Sequence, residues 1–229
     1  MVRVNVIVEG ETEEGFVKRV LAPYLSERNV YPTTRRVLLS RKGGRPHRGG
    51  IRSYHHPRFD IVTSLKEDVR VYCATMFDLY ALPDDFPGME RAPSGPPHER
   101  VAHLERALAE DIGAALPDGA KRFIPYLQLH EFEALLFADV AKLDEAVSAL
   151  LGRNRLDALR HILKECGSPE NINEGLETAP SKRLKKLYPA YEKRLFGELV
   201  AEQTGIDTIR SACPHFDDCL RRLESLPPL

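Results

Sequence analysis

The stretch Val2-Arg3-Val4-Asn5-Val6-Ile7-Val8-Glu9-Gly10 decides the fold class of this chain. It is an apolar, β-branched run that ends abruptly at Glu9 and Gly10, and such a run predicts a buried strand. Apolar residues then recur at helical spacing from Phe16 to Tyr24, and Thr12 is placed to cap the helix that they predict. A strand, a tight turn and a helix in this order indicate an α/β sheet of the doubly wound kind.

The same reasoning predicts more strands and helices further along the chain. Strand character recurs in three segments, at residues 36–40, 69–77 and 123–129. Helical spacing is found at residues 59–67 and 101–112, whereas the Gly-, Arg- and His-rich residues 41–56 predict a loop. This order of elements predicts a mainly parallel sheet flanked by helices.

The chain divides into two regions by this pattern. Residues 1–138 carry the predicted α/β unit, and residues 139–229 show only helical periodicity, so they predict a helical C-terminal region packed on the sheet. The 229 residues are 42% hydrophobic, which is enough to bury a core, and the formal net charge of −1 selects no class of partner. No leader and no run of ~20 apolar residues is found, so no membrane partner is expected. Four cysteines without a secretory signal favour free thiols in the cytoplasm.

Acidic residues follow three of the predicted strands. Glu9 comes after the first strand, Asp78 after the third, and Glu131 and Glu133 after the last. The carboxyl ends of parallel strands share one edge of a sheet, where ligands of open α/β sheets bind. Carboxylate oxygens are the ligands that Mg²⁺ prefers, together with waters and substrate phosphates. The sequence therefore predicts a divalent-cation site for Mg²⁺ or Mn²⁺ at this edge.

A structural alternative exists for each acid taken singly. An acidic residue at a strand end is more often a solvated turn residue or a helix cap than a ligand. Three glutamates in the first turn of the predicted helix are assigned to the helix dipole for this reason: Glu11, Glu13 and Glu14.

Several blocks of this sequence resemble known families. The segment Val8-Glu9-Gly10-Glu11-Thr12-Glu13-Glu14-Gly15-Phe16 resembles the first Toprim motif, in which a glutamate at a strand end precedes a glycine. More closely, the chain resembles the bacterial domain-of-unknown-function family four-two-seven-six, with distant similarity to nucleases of the overcoming-lysogenisation-defect type. The blocks that carry this resemblance are Met76-Phe77-Asp78-Leu79-Tyr80, His130-Glu131-Phe132-Glu133-Ala134-Leu135-Leu136-Phe137, Pro169-Glu170, Ala179-Pro180-Ser181-Lys182-Arg183-Leu184 and Cys213-Pro214-His215-Phe216.

The resemblance implies a Toprim-like fold that binds Mg²⁺ or Mn²⁺ and acts on phosphodiesters. Glu9 matches the motif glutamate and Asp78 the first aspartate of the usual Asp-x-Asp, but Tyr80 stands at the second aspartate position. Either the metal site is weaker than in the family pattern, or another ligand replaces that aspartate, and Glu133 is then preferred to Glu131. The resemblance also implies a partner ATPase and a role in defence against mobile DNA.

Basic residues are concentrated between the first two acidic candidates. Residues 28–59 contain nine Lys or Arg and no Asp or Glu. Such a segment is either a solvated surface loop or a contact for the phosphates of nucleic acid. The candidate phosphate contacts are Arg41, Lys42, Arg45, Arg48 and Arg52, together with Ser181 and Lys182 at the start of a later basic helix.

Two further groups of residues are candidates for chemistry, His130 and the segment from Cys213 to Cys219. His130 is a candidate general base or ligand, and a packed polar residue at a strand end is the alternative. Cys213, His215 and Cys219 lack the second pair of ligands that structural zinc needs, so they predict an ordinary amphipathic helix. No phosphate-binding loop of either common nucleotide-binding motif is present.

Two functions are therefore consistent with the sequence. The first is a divalent-metal-dependent nuclease or other phosphodiester-processing protein, acting on DNA rather than RNA, in which Glu9, Asp78 and His130 are catalytic. The second is a non-catalytic module that binds nucleic acid, a nucleotide or a partner on the same scaffold. The oligomeric state is not encoded in any pattern that we recognise.

Overall fold

The computed structural model describes residues 1–42, 45–48, 51–172, 175 and 177–229, with the backbone alone at 39–42, 45–48 and 81. Seven strands are found in this part of the chain. They are β1 (Val2–Val8), β2 (Val30–Arg36), β3 (Leu38–Lys42), β4 (Arg45–Arg48), β5 (Tyr72–Asp78), β6 (Phe123–Ile124) and β7 (Leu127–Gln128).

Five of these strands form one parallel sheet. The order is β2-β1-β5-β6, and β7 continues the line of β6 by pairing with the end of β5. All seven residues of β5 are buried, as expected of a central parallel strand covered on both faces. In the register of β1 and β5, Val8 lies opposite Met76, so these two strands end together.

Helices account for most of the remaining described residues. They are α1 (Glu11–Phe16), α2 (Ala22–Ser26), α3 (His55–Glu67), α4 (Pro97–Ala115), α5 (Pro117–Ala120), α6 (Glu133–Leu136), α7 (Val140–Leu151), α8 (Leu156–Cys166), α9 (Pro180–Leu187), α10 (Lys193–Thr204), α11 (Ile206–Ala212) and α12 (Pro214–Glu224). A π-helical segment, Val17–Leu21, joins α1 to α2. None of the helices in the described ranges is both long and apolar enough to cross a membrane.

The sheet separates two hydrophobic cores, because alternate side chains of β1 point to opposite faces. Val4 and Val6 face a large core that includes Phe196 of α10 and Phe216 of α12. Ile7 faces a smaller core built with α3 and α4. The C-terminal helices therefore cover one face of the sheet. The predicted α/β class, a parallel sheet flanked by helices with a helical C-terminal region, is confirmed.

The second strand differs from its predicted position. The sheet strand is Val30–Arg36, not residues 36–40, and it lies at the edge of the sheet beside β1. Only Val30 of this strand is fully buried, and Pro32 is tolerated because an edge strand has one side without a partner. An edge strand of this kind lacks the long apolar run by which buried strands are recognised.

The basic segment also contains more regular structure than predicted. Within the predicted loop, the backbone of β3 and β4 forms an antiparallel pair, and α3 begins at His55. The first helix likewise starts without Thr12 as its cap: its N-terminal residue is preceded by Gly10, whose N–H is accepted by the Glu13 carboxylate at 2.7 Å.

Candidate active site

Two adjacent parallel strands bring Glu9 and Asp78 to the same edge of the sheet. Glu9 follows the last residue of β1, and Asp78 is the last residue of β5. The Asp78 carboxylate accepts the backbone N–H of Phe132 at 2.9 Å. This bond fixes the turn that carries Glu131 and Glu133 beside the ends of both strands. All four predicted acids therefore converge, as the topology of a parallel sheet requires.

Glu13 is a fifth member of this acidic cluster that the sequence did not reveal as such. Its carboxylate receives the Gly10 N–H, so its assignment to the first helical turn is correct. The side chain is nevertheless buried, and its charge acts on both Glu9 and Asp78. The helix begins only at Glu11, so Glu13 reaches the cluster through the turn at Gly10 that follows Glu9, and no regular spacing in the sequence marks it.

Glu131 and Glu133 have different partners. Glu131 accepts the N–H of Ser181 at 2.9 Å and its hydroxyl at 3.1 Å, at the N-terminus of α9. Glu133 accepts Lys193 Nζ at 3.1 Å, and its other oxygen is buried without a hydrogen-bond partner in the described structure. The charge of Glu133 is among those that raise the pKa of Asp78. Of the two, Glu133 thus has the more available oxygen.

Lys193 supplies positive charge to the cluster. Its Nζ lies 3.1 Å from Glu133 and 3.6 Å from Glu131. Burial alone would lower the pKa of Lys193, but the neighbouring carboxylates of Glu133, Glu131 and Asp78 outweigh that effect and raise it. Lys193 therefore stays protonated. No local pattern marks this residue, because it meets Glu133 only through the packing of α10 on α6.

Burial and mutual repulsion raise the pKa values of the carboxyl groups. Burial, followed by the charge of Glu13, raises the pKa of Glu9 to about 7. Burial raises the pKa of Glu133 to about 7 as well, against the opposing effect of Lys193. Asp78 has a pKa well above its ordinary range because it is buried next to Glu13, Glu9 and Glu133. Within the described residues, the ammonium group of Lys193 therefore does not offset the effects that raise the pKa values of Glu9, Asp78 and Glu133.

The donor set fits a hard divalent cation. Three buried polar atoms in this region have no hydrogen-bond partner among the described residues: one oxygen of Glu9, one oxygen of Glu133 and the hydroxyl of Tyr191. Buried polar atoms normally have partners, so these three atoms indicate a place for an ion or ordered water. In the described part of the chain, no three His, Cys, Asp or Glu side chains are grouped closely enough to hold a metal directly. Mg²⁺ needs only one or two carboxylates when waters and substrate phosphates complete its shell.

His130 and Tyr80 meet at the turn after β7. The His130 side chain is buried, and its backbone adopts a φ of 63°, a conformation uncommon for residues other than glycine. Its carbonyl accepts the N–H of Tyr80 at 3.0 Å. The Tyr80 side chain is 44% exposed, so the residue at the second aspartate position lies towards solvent.

The predicted phosphate contacts fall into three groups. Arg52 is exposed, immediately before α3. The side chains of four others lie outside the described structure: Arg41, Lys42, Arg45 and Arg48. Ser181 is buried and bonds Glu131, whereas Lys182 is exposed.

The fold defines an α/β protein with a parallel sheet, acidic residues at its strand ends and a helical C-terminal region. Comparison with protein families shows which family it belongs to. The chain belongs to the family described as a domain of unknown function (DUF4276), which matches residues 8–224. The family resemblance of the sequence blocks is thereby confirmed. None of the curated proteins compared with it matches closely enough to count as a relative.

Solved structures with a similar course of the chain come from OLD proteins. The C-terminal region of the Burkholderia pseudomallei OLD protein matches 98% of this chain and 100% of its own, with a TM-score of 0.46 and 16% identity. The C-terminal region of the Xanthomonas campestris pv. campestris OLD protein matches 96% of this chain and 95% of its own, with a TM-score of 0.41 and 18% identity. These values describe a distant similarity of structure.

Proposed function

We propose that this protein is a divalent-cation-dependent phosphodiester-processing enzyme, with DNA as its substrate. The observation that carries the proposal is the acidic cluster, in which the half-buried Glu9 and the buried Glu13, Asp78 and Glu133 have raised carboxyl pKa values. Collecting buried acids around one lysine is unfavourable unless a cation or a proton neutralises them. A catalytic cation site explains why such an arrangement is kept at the ligand-binding edge of the sheet.

Each residue has a role in this proposal. Glu9 and Asp78 would hold Mg²⁺ or Mn²⁺, and Glu133 would supply the oxygen that the family pattern takes from the position of Tyr80. The bound cation would neutralise phosphate charge and act as a Lewis acid. Lys193, held by Glu133, would stabilise negative charge on the phosphate. His130, beside the same edge, is the candidate to accept a proton.

The exposed face of α9 is the proposed contact for the nucleic-acid backbone. Lys182, Lys185 and Lys186 lie three and four positions apart, so they share one face of the helix. The opposite face is buried and includes Ser181, which bonds Glu131 of the cluster. The lysine face thus lies about one helix diameter, ~10 Å, from the acids. Phosphates a few nucleotides from the reacting one would meet it.

The test is a cleavage assay with labelled single- and double-stranded DNA and RNA, in Mg²⁺, Mn²⁺ or EDTA. Wild type and Glu9→Gln are compared with Glu11→Gln, a matched control, because Glu11 is exposed and pairs with Arg36 and Arg194 outside the cluster. We expect cation-dependent cleavage by wild type and Glu11→Gln only. Equal cleavage by Glu9→Gln would contradict the assignment.

A non-catalytic module is the second candidate function, and the exposed Tyr80 favours it. With a tyrosine at the second aspartate position, the site has one acid fewer than the family pattern that it resembles. Salt-sensitive binding of nucleic acid without cleavage in any cation would support this reading. On the family resemblance, either version of the proposal includes a partner ATPase.

A further inference from the structure

The short strands β6 and β7 form one edge of the sheet and are interrupted at Pro125 and Tyr126. On the inner side, the hydroxyl of Thr75 bridges this break. It accepts the N–H of Tyr126 at 2.9 Å and donates to the Tyr126 carbonyl at 3.0 Å. Strands of two residues provide few ladder hydrogen bonds, so the position of β7 depends on side chains from other elements.

On the outer side, a His–Glu pair takes the place of a neighbouring strand. The N–H of Leu127 donates to Glu105 of α4 at 2.8 Å, and the Leu127 carbonyl lies 3.0 Å from His215 Nε2 of α12. The same nitrogen is 3.1 Å from the Glu105 carboxylate. Because both of its neighbours are acceptors, Nε2 carries the hydrogen. Both outward backbone groups of Leu127 are therefore satisfied, as an edge strand requires.

His215 is itself firmly placed. The Glu170 carboxylate accepts the N–H groups of His215 and Phe216 at the start of α12, both at 3.1 Å. The imidazole stacks on Tyr126, with ring centroids 5.1 Å apart and planes at 20°. This explains two blocks of the family resemblance, Pro169-Glu170 and Cys213-Pro214-His215-Phe216, which the acidic cluster does not use.

The contacts of Glu105 and His215 with the backbone of Leu127 form a brace for β7. A second set of hydrogen bonds extends from this brace towards the acidic cluster. The Tyr126 hydroxyl donates to Gln128 at 2.6 Å, and the Gln128 amide donates to the Leu129 carbonyl at 3.1 Å. The next residue, His130, begins the turn in which Phe132 N–H bonds Asp78. The chain from Tyr126 to Phe132 is thus held by buried polar contacts at nearly every residue.

We propose that His215 and Glu105 are positioning residues, which fix β7 so that the following turn presents Glu131 and Glu133 to Asp78 and Lys193. The proposal rests on the proposed function, in that it names what sets the geometry of the same cluster. It assigns no contact with substrate to His215 or Glu105. Both act through the backbone of Leu127.

Hydrogen exchange of two amides tests the proposal without requiring catalysis. Tyr80 N–H bonds the His130 carbonyl and Phe132 N–H bonds Asp78, so both report on the turn. His215→Leu removes the donor to Leu127, whereas His215→Gln keeps an N–H donor. Tyr54→Phe is the control, because it removes one hydrogen bond to α4, at Asp111, that does not involve β7.

We expect these two amides to exchange at least ~10-fold faster in His215→Leu than in Tyr54→Phe, with near wild-type exchange in His215→Gln. Glu105→Gln keeps an acceptor for Leu127 but removes the charge facing His215, so it should increase the exchange rates by a smaller factor. It replaces His215→Leu in the test if that variant does not fold. Where cleavage is observed, kcat should fall in His215→Leu with KM little changed, and His215→Gln should restore it.

The results separate this proposal from the proposed function. If exchange is faster in His215→Leu but wild type cleaves no substrate, the proposed enzymatic function is refuted and the role of the brace is supported. The opposite result is cleavage by wild type together with unchanged exchange at Tyr80 and Phe132 in both His215→Leu and Glu105→Gln. It would overturn the role of the brace and leave the proposed enzymatic function supported. Failure of His215→Gln to restore slow exchange would also overturn the brace.

Discussion

Two groups of acids in this protein have opposite surroundings. Asp217 and Glu224 on α12 face Arg210, which lies 2.6 Å from Asp217 and 2.9 Å from Glu224. Arg28 and the Tyr24 hydroxyl also contact Glu224, at 3.2 and 3.1 Å. In the acidic cluster at the strand ends, by contrast, several buried carboxylates share one lysine.

The difference distinguishes acids that hold the fold together from acids available for chemistry. An arginine that bonds two carboxylates satisfies them within the protein and leaves them little capacity for a ligand. Carboxylates that repel one another and keep unpartnered oxygens gain stability when a cation binds. Asp217 and Glu224 thus stabilise the packing of α12, whereas the strand-end cluster has the surroundings that the proposed cation site requires.

The largest expected effect is the loss of activity in Glu9→Gln. Removal of one charged ligand should lower cleavage by at least ~100-fold, because the cation and the transition state both lose their partner. The melting temperature should not fall, since the substitution relieves repulsion from Glu13. Kinetics and thermal unfolding of the same samples check both parts. A destabilised Glu9→Gln with normal activity would make this cluster structural as well.

Asp217→Asn should behave in the opposite way. Loss of its charged hydrogen bond from Arg210 is expected to lower the free energy of unfolding by about 1–3 kcal/mol, with cleavage per folded molecule unchanged. Denaturant unfolding at a temperature where the variant is folded measures the first, and the cleavage assay measures the second. An activity loss matching that of Glu9→Gln would remove the distinction between the two groups.

The pH dependence of stability sharpens the comparison. Burial raises the pKa of Glu9 from 4.5 to about 7, so the folded protein binds this proton more tightly than the unfolded chain. The ionised Glu9 carboxylate therefore lowers the free energy of unfolding fully above about pH 7, and this effect is absent below pH 4.5. In EDTA, Glu9→Gln should be more stable than wild type at pH 8, and this advantage should vanish as the pH falls towards 4.5. Melting curves across that range would contradict the account if the difference stayed constant.

The smallest expected effect concerns the lysine face of α9. Lys182→Gln, Lys185→Gln and Lys186→Gln combined should weaken DNA binding several-fold and reduce the slope of log K against log salt by roughly 1–3. The control combines Lys66→Gln, Lys121→Gln and Lys164→Gln, which remove the same charge from scattered exposed positions. Binding in EDTA measures affinity apart from cleavage. Equal losses in the two triple variants would show that only net charge matters.

The sequence predicted those members of the acidic cluster that lie at strand ends. Glu9, Asp78, Glu131 and Glu133 follow apolar runs, and the topology of a parallel sheet places the ends of such runs together. Lys193 could not be found in this way, because it reaches Glu133 across 60 residues through helix packing. Long-range contacts between helices leave no periodic signal in the chain.

The edge strands of the sheet were the part of the fold that was hardest to predict from the sequence. The central strands β1 and β5 are mainly apolar, and the sequence identified both. The edge strand β2 contains Pro32 and polar residues, while the opposite edge is interrupted at Pro125 and held by side chains from α4 and α12. Edge strands depend on partners distant in sequence, so their local pattern is weak.

The most direct test of the central claim is cation binding at the strand-end cluster. Thermal unfolding of wild type and Asp78→Asn is measured during titration with Mn²⁺, at pH 7.5 and without nucleic acid. A ligand that binds only the folded state raises its melting temperature. We predict a rise for wild type that saturates with Mn²⁺ and is absent in Asp78→Asn. Equal rises in the two proteins, or no rise in either, would contradict the assignment of this cluster as a divalent-cation site.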